Sequence, residues 1–312
     1  MPRYKLTLAY DGTDFCGWQK QFPHEDAITD APRMSGTGFK PAESGRDGDD
    51  GGGEGGDRPR QEHRSEADAA TDRRRVELRT VQSVLERAVQ RVVHQPVAIL
   101  GASRTDSGVH ANGQVAAFST IVEEDARGRG GWPVERGTPA LVRAINSRLP
   151  RDVLVTAAEV VADGFNPIGG AVSKGYSYTI WNAQERTLWD RRTSLHVWQT
   201  LDVGLMQAAA EALVGEHDFA AFAAAGHGRA TTVRTVHGCT VRTVRDHLIR
   251  IEVSGSGFLW NMVRIIAGTL VEAGKARLTP DDIRGALATG DRRKAGPTLP
   301  PHGLCLEWIR YA

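Results

Sequence analysis

The chain has 312 residues, which is long enough for two domains, because a single core seldom grows beyond about 250–300 residues. Its formal net charge is +1, but residues 23–78 hold fourteen acidic and nine basic residues and carry −5, so the remainder carries +6 and is modestly basic. The three cysteines lie far apart without CxxC or Cys/His ligand spacing, which excludes a disulfide framework and a zinc site of the usual kinds.

The first predicted element is a strand. Residues 4–10 alternate large apolar residues with polar or small ones, and Asp11-Gly12 then turns the chain. No basic and apolar leader precedes this strand, and no run approaches the ~20 apolar residues that span a bilayer. We therefore expect a cytoplasmic protein without a membrane segment.

Residues 23–78 differ in composition from the rest of the chain. Glycine and clusters of like charge dominate, and apolar residues are rare. Such a segment cannot bury enough surface to offset the entropy of ordering it, so we predict a disordered surface insertion. An RNA-contacting segment built on the three arginines at 73–75 is the alternative.

The next predicted elements are a helix and a hairpin. Residues 80–93 carry an apolar stripe at helical spacing, with Thr80 as N-cap. Residues 97–100 and 115–118 have strand composition and flank a polar loop punctuated by glycine. This loop carries a cation, a carboxylate, two hydroxyls and an imidazole: Arg104, Asp106, Thr105, Ser107 and His110.

Asp106 lies at the centre of that loop. An aspartate followed two residues later by glycine is a common turn, in which the side chain only caps backbone N–H groups. Loops held by rigid strands also commonly carry function. Both interpretations are open for the Asp-Ser-Gly sequence alone.

The remaining pattern predicts further strands and helices. Strands are expected at 153–161, 173–182, around Val241, at 248–253 and at 304–310, and helices at 141–149, 202–214, 265–273 and 279–287.

Arg264 is a lone cation in an apolar helical stretch. It either meets a carboxylate or extends to solvent along its aliphatic stem. Just before it, Gly255-Ser256-Gly257 could bind phosphate at a helix N-terminus, although no complete nucleotide motif follows.

Four strings in this order resemble one family. They are YDG followed by GWQ, RTDSGVHA, KGYSY and GFLWNMVR, and together they resemble the tRNA pseudouridine synthase A family. The resemblance covers essentially the whole chain outside residues 23–78. It implies an α/β (α+β) fold of two related domains, at 1–160 and 161–312, each a mostly antiparallel sheet with helices packed on one face.

The resemblance also implies an activity. Members convert uridine to pseudouridine at positions 38, 39 and 40 in the anticodon stem-loop of tRNA, as homodimers, and the reaction needs no redox cofactor and no metal. Asp106 would be the catalytic nucleophile and Arg264 its partner, while Tyr176 would stack on the target base. Burial disfavours a charged carboxylate, and an arginine close by favours it.

Arg104 would fill the space left by the flipped base or hold phosphate. The other substrate-binding residues implied by the resemblance are Lys174, His110, Asp11 and Gln19.

One segment departs from the family pattern. Asn166-Pro167-Ile168 stands where the family usually has His-Ala-Arg, which removes a basic group and an imidazole. The alternative function is therefore a catalytically silent tRNA-binding protein with the same fold.

Overall fold

The computed structural model describes residues 1–22, 77–122, 130–224 and 230–312. The chain divides into two compact units, residues 1–20 with 79–312 and residues 21–78. Nearly all of the predicted insertion, including the arginines at 73–75, lies outside the described residues. At the described edges of the second unit, the Leu78 N–H donates to the Gln21 carbonyl at 3.2 Å. Within the described ranges, no helix has the length and apolar character needed to cross a membrane.

The first unit is built on one ten-stranded sheet. Its spatial order is β4-β1-β3-β10-β5-β9-β8-β7, with β2 paired to β3 and β6 paired to β5. The strands are β1 (Arg3–Tyr10), β2 (Leu100–Gly101), β3 (His110–Ser119), β4 (Val153–Val161), β5 (Ala171–Asn182), β6 (Leu195–Val197), β7 (Gly215–Asp218), β8 (Val233–Arg245), β9 (Leu248–Gly255) and β10 (Leu304–Tyr311). Only the β10–β3 and β5–β6 pairs of this described sheet are parallel.

In the described residues, five α-helices accompany the sheet. They are α1 (Val81–Val93), α2 (Thr138–Asn146), α3 (Val203–Glu211), α4 (Met262–Gly274) and α5 (Pro280–Thr289). Strands β1 and β9 alternate strictly between buried and half-exposed residues, so one face of the sheet carries the core and the other meets solvent. The predicted mixed α/β fold with a mostly antiparallel sheet is confirmed. The division at 160/161 stays a prediction.

Two predicted helix starts are confirmed in detail. Thr80 caps α1 through a reciprocal pair of hydrogen bonds with Ser83. Thr279 caps α5 in the same way with Asp282, and Pro280 occupies the first turn.

The hairpin differs from the prediction in its first strand. Residues 97–99 do not pair in the sheet, and β2 contains only two residues. Side chains of α1 take the place of a partner strand here. Gln82 donates to the Ile99 carbonyl at 2.9 Å, Glu86 accepts from the Ile99 N–H at 3.0 Å, and Gln90 donates to the Val97 carbonyl at 3.2 Å.

The closing strand also departs from the simple alternation seen in its sequence. Leu306 pairs with Tyr176, but Trp308 pairs with Gly175, so a bulge puts Trp308 on the opposite face from Leu306. Gly175 is required there, because a Cβ at this position would lie 2.2 Å from the Trp308 ring.

Candidate active site

The segment at 102–109 is a loop that backbone hydrogen bonds and close packing fix to residues 12–18. The Trp18 N–H donates to the Thr105 carbonyl at 3.0 Å, and the Gly108 N–H donates to the Phe15 carbonyl at 3.3 Å. Gly17 has φ +89°, and a Cβ on it would lie 2.8 Å from the Thr105 carbonyl oxygen. Glycine at this position therefore allows the close approach that fixes the loop.

A buried polar network ties the same loop to three strands. Thr105 shares a 2.7 Å hydrogen bond with the Tyr10 hydroxyl of β1. The Gln114 side chain of β3 binds the backbone of Ser103, with its amide donating to the carbonyl at 2.7 Å. The Ser103 hydroxyl in turn lies 2.9 Å from the Tyr176 hydroxyl of β5. Asp106 is thus presented by a fixed loop.

A cavity of about 850 Å³ opens beside this loop. It brings together six of the eight residues predicted for the site, from both halves of the sequence: Gln19, Arg104, Asp106, Lys174, Tyr176 and Arg264.

Asp106 receives a different donor on each carboxylate oxygen. Arg264 Nη1 lies 3.4 Å from Oδ2, and the indole Nε1 of Trp260 lies 3.2 Å from Oδ1. The Arg264 side chain is only 16% exposed, whereas that of Asp106 is 36% exposed. The cation is therefore largely withdrawn from water, and the carboxylate faces the cavity.

The Arg264 guanidinium is held by two further contacts. Its Nε donates to the Leu299 carbonyl at 2.7 Å, and Nη1 donates to the Asn261 side-chain oxygen at 2.7 Å. Asn261 has a left-handed backbone with φ 61° immediately before α4. These contacts direct Arg264 inward to Asp106, so it does not extend to solvent.

Tyr176 forms part of the cavity wall. Its ring meets Phe258 edge-on, with centroids 5.2 Å apart and an interplanar angle of 85°. Burial raises the pKa of Tyr176 to about 12, against the hydrogen bond with Ser103, and the nearby Asp106 charge adds to the increase. The phenol is therefore protonated at neutral pH. Lys174 lies on the same strand and donates to the Ala102 carbonyl at 2.9 Å.

Asp11 and His110 lie elsewhere. Both line a second cavity of about 510 Å³ and do not line the cavity that contains Asp106. The Gly12 N–H donates to His110 Nδ1 at 3.1 Å, Asp11 Oδ1 lies 3.2 Å from the same nitrogen, and Nε2 faces the carbonyl oxygens of Arg192 and His302. Their part in substrate binding stays a prediction.

The charge of Asp11 is stabilised locally. Burial opposes ionisation, but the Thr13 hydroxyl and N–H both donate to the carboxylate, and His110 and Arg192 lie close. Together they lower the pKa of Asp11 below its usual value.

The departure at Asn166-Pro167-Ile168 forms a turn capped by its own side chain. Asn166 Oδ1 accepts from the N–H of Ile168 at 2.9 Å and from that of Gly169 at 3.2 Å. Ile168 then lines the cavity of Asp106 as an exposed apolar residue.

The structure does not favour a phosphate site at Gly255-Ser256-Gly257. Helix α4 begins at Met262, five residues after Gly257, so these glycines do not form its N-terminus. A Cβ on Gly257 would meet nothing within 4 Å, so no close backbone approach requires glycine there.

In the part of the chain that the structure describes, no three His, Cys, Asp or Glu side chains are grouped as metal ligands.

Trp260 is one of several residues of this site that sequence analysis did not assign, with Asn261, Ser103 and Phe258. It lies four positions before Arg264 in the GFLWNMVR string, but an exposed tryptophan carries no pattern that would direct it to a carboxylate.

Comparison with known proteins adds independent findings. A family model described as tRNA pseudouridine synthase matches residues 209–312. The chain is similar to tRNA pseudouridine synthase A of Geotalea daltonii, at 43% identity over 311 residues, and to that of Pelobacter propionicus, at 42% over 313 residues. It is also 34% identical over 311 residues to tRNA pseudouridine synthase A 2 of Clostridium perfringens. Each of these alignments covers 100% of both chains.

Proposed function

This chain belongs to the tRNA pseudouridine synthase A family, and we propose that it converts uridine to pseudouridine in the anticodon stem-loop of tRNA, with Asp106 as nucleophile. The enzyme is an isomerase. The observation that carries the proposal for Asp106 is its ion pair with the inward-facing Arg264, in a cavity that also contains the buried Tyr176.

The reaction rearranges uridine without net oxidation or reduction. The bond between ribose C1′ and uracil N1 breaks, the base turns, and C1′ joins C5; C5 loses its proton, and N1 carries one in the product. An ionised carboxylate can stabilise the developing charge on ribose or attack as a nucleophile, and a base must remove the C5 proton. Asp106 is suited to these tasks because the Arg264 guanidinium lies 3.4 Å from one carboxylate oxygen while the carboxylate also lines the cavity.

The other cavity residues support recognition of a flipped base. Turning a base out of a stem costs a few kcal/mol, and stacking on an aromatic ring returns roughly 1–3 kcal/mol per base. The Tyr176 ring, fixed by Ser103 and Phe258, suits that stacking. Arg104 is exposed at the cavity and is suited to the vacated position in the stem or to a phosphate.

The catalytically silent tRNA-binding protein stays as the second candidate. The observation that favours it is the self-capped turn at Asn166-Pro167-Ile168, which carries no cationic side chain.

Tritium release from C5 of labelled uridine in unmodified tRNA tests both candidates. We expect release by the wild-type enzyme, none by Asp106→Asn, and tRNA binding by that variant within a few-fold of wild type. Asp163→Asn is the matched control, because Asp163 is an exposed carboxylate that does not line the cavity. Normal turnover by Asp106→Asn would disprove the assignment of the nucleophile. No release by any variant, with tRNA still bound, would support the silent binder.

We further propose that the enzyme acts as a homodimer in the cytoplasm. Exposed apolar side chains support an interface, since Leu188 and Trp189 are adjacent and the latter is 91% exposed. Sedimentation equilibrium at the monomer mass over the working concentration range would contradict the dimer.

A further inference from the structure

The tryptophan at the mouth of the cavity has no part in the chemistry described so far. Trp260 is 51% exposed, yet its indole N–H points at Oδ1 of Asp106 from 3.2 Å. An indole N–H can only donate a hydrogen bond, so this contact has one polarity and is strongest when the carboxylate is ionised.

A carboxylate held at one oxygen can still rotate. The last torsion of aspartate is broad, so the single 3.4 Å contact from Arg264 to Oδ2 leaves the plane of the carboxylate poorly defined. A second donor on Oδ1 fixes that plane. Each carboxylate oxygen has two lone pairs, so Asp106 keeps acceptor sites directed at the cavity while both donors are bound.

The backbone at Trp260 and at the residue after it is itself held in place. The Ala224 N–H donates to the Trp260 carbonyl at 3.1 Å. Asn261, the next residue, has a left-handed backbone, and its side-chain oxygen accepts a hydrogen bond from Arg264. The two donors to Asp106 therefore come from one short segment, and a shift of that segment would move both.

We propose that Trp260 is a positioning residue for the synthase reaction, whose N–H fixes the Asp106 carboxylate in the orientation that faces the target nucleotide. This inference rests on the proposed function, because it assumes that Asp106 is the reacting group. Correct orientation of a reacting group lowers the barrier to reaction without requiring tighter substrate binding.

Trp260→Phe tests the proposal, since it keeps an aromatic ring and removes only the donor. We expect kcat for tritium release to fall about tenfold, which is the lower end of the effect of losing a hydrogen bond to a charged group, because the Asp106 side chain is partly exposed. KM for tRNA should stay within about twofold of wild type, and the melting temperature should not change, because the side chain is half exposed. Trp198→Phe is the matched control, because Trp198 is 59% exposed and does not line the cavity.

The outcomes separate this inference from the proposed function. If the wild type turns over, Asp106→Asn does not, and Trp260→Phe keeps full kcat, then Trp260 is not a positioning residue. A rise in KM with unchanged kcat would also overturn the proposal, since it would assign the indole to contact with RNA. If Asp106→Asn turns over normally, the proposed nucleophile fails, and the inference on Trp260 fails with it.

Discussion

The ion pair between Asp106 and Arg264 joins residues 158 positions apart in the sequence. Arg264 also carries hydrogen bonds to Leu299 and Asn261, so its side chain connects the loop that carries Asp106 to the start of α4 and to the segment before β10. Removing it would leave Oδ2 of the partly buried Asp106 and the Leu299 carbonyl without their donor, although Trp260 would still donate to Oδ1.

We therefore predict that Arg264→Met lowers stability and activity together. The loss should be about 2 kcal/mol, discounted from the value for a fully buried pair because Asp106 is partly exposed, and should lower the melting temperature by several degrees. Differential scanning calorimetry and tritium release measure the two effects. Arg284→Met is the matched control, since Arg284 pairs with Asp281 at the surface and should change neither.

Among single residues, the sequence predicted those whose physical chemistry demands a partner. A lone cation among apolar residues must meet an anion or reach solvent, which made Arg264 conspicuous. Trp260 was not predicted, because no such requirement applies to an exposed tryptophan. Its contact with Asp106 exists only after folding. His110 follows Asp106 by four residues and Asp11 follows β1, but both line a different cavity, which the sequence pattern did not predict.

Helix α4 packs against the segment that holds Leu299. Its Gly268 lies under Pro297, and a Cβ at residue 268 would be 1.9 Å from the Pro297 carbonyl oxygen. The same segment is bonded to α4 by the Gly296 N–H, which donates to the Thr269 hydroxyl at 2.9 Å, and by the Leu299 N–H, which donates to the Arg264 carbonyl. Close contact of these two elements thus sets the distance from Leu299 to Arg264.

Gly268→Ala should separate them. We predict a loss of about 1–3 kcal/mol from overpacking, together with reduced turnover, because the carbonyl that orients Arg264 moves. Gly285→Ala is the control in α5, where a Cβ would meet nothing within 4 Å. There alanine should raise the free energy of unfolding by about 0.5–1 kcal/mol. Equal melting temperatures for the two variants in thermal unfolding, or equal midpoints in urea unfolding, would contradict this account.

Elements with local signals were predicted well. The caps at Thr80 and Thr279 and the apolar stripes behind them are properties of a few neighbouring residues. The short β2 and the bulge in β10 depend on partners outside those strands, namely side chains of α1 and the distant Gly175. Patterns of period two cannot contain that information.

The whole molecule contains a second unit whose described edges meet. Because Leu78 donates to the Gln21 carbonyl, the chain leaves and returns at nearly one point. A short linker could therefore replace residues 24–77 without moving either edge.

Deleting residues 24–77 should leave the melting temperature within a few degrees and tritium release within about twofold of wild type. The prediction rests on the hydrogen bond between Leu78 and Gln21, and on the composition of residues 24–77, which has too few apolar residues to contribute a core. The same linker inserted into the full chain between Gln21 and Phe22 controls for the new sequence. Collapse of the deletion variant, with the insertion variant intact, would show that the segment is required.

The position of β10 determines the order in which the molecule can be completed. The other nine strands of the sheet precede it in the chain, yet it lies between β3 and β5 and is the only described strand that joins them. On a ribosome, the loop with Asp106 and the strand with Tyr176 are therefore synthesised well before the strand that links their halves of the sheet. The cavity that contains Asp106, which Leu304 of β10 also lines, is therefore completed late in translation, and we expect a nascent chain to modify tRNA only after β10 has emerged.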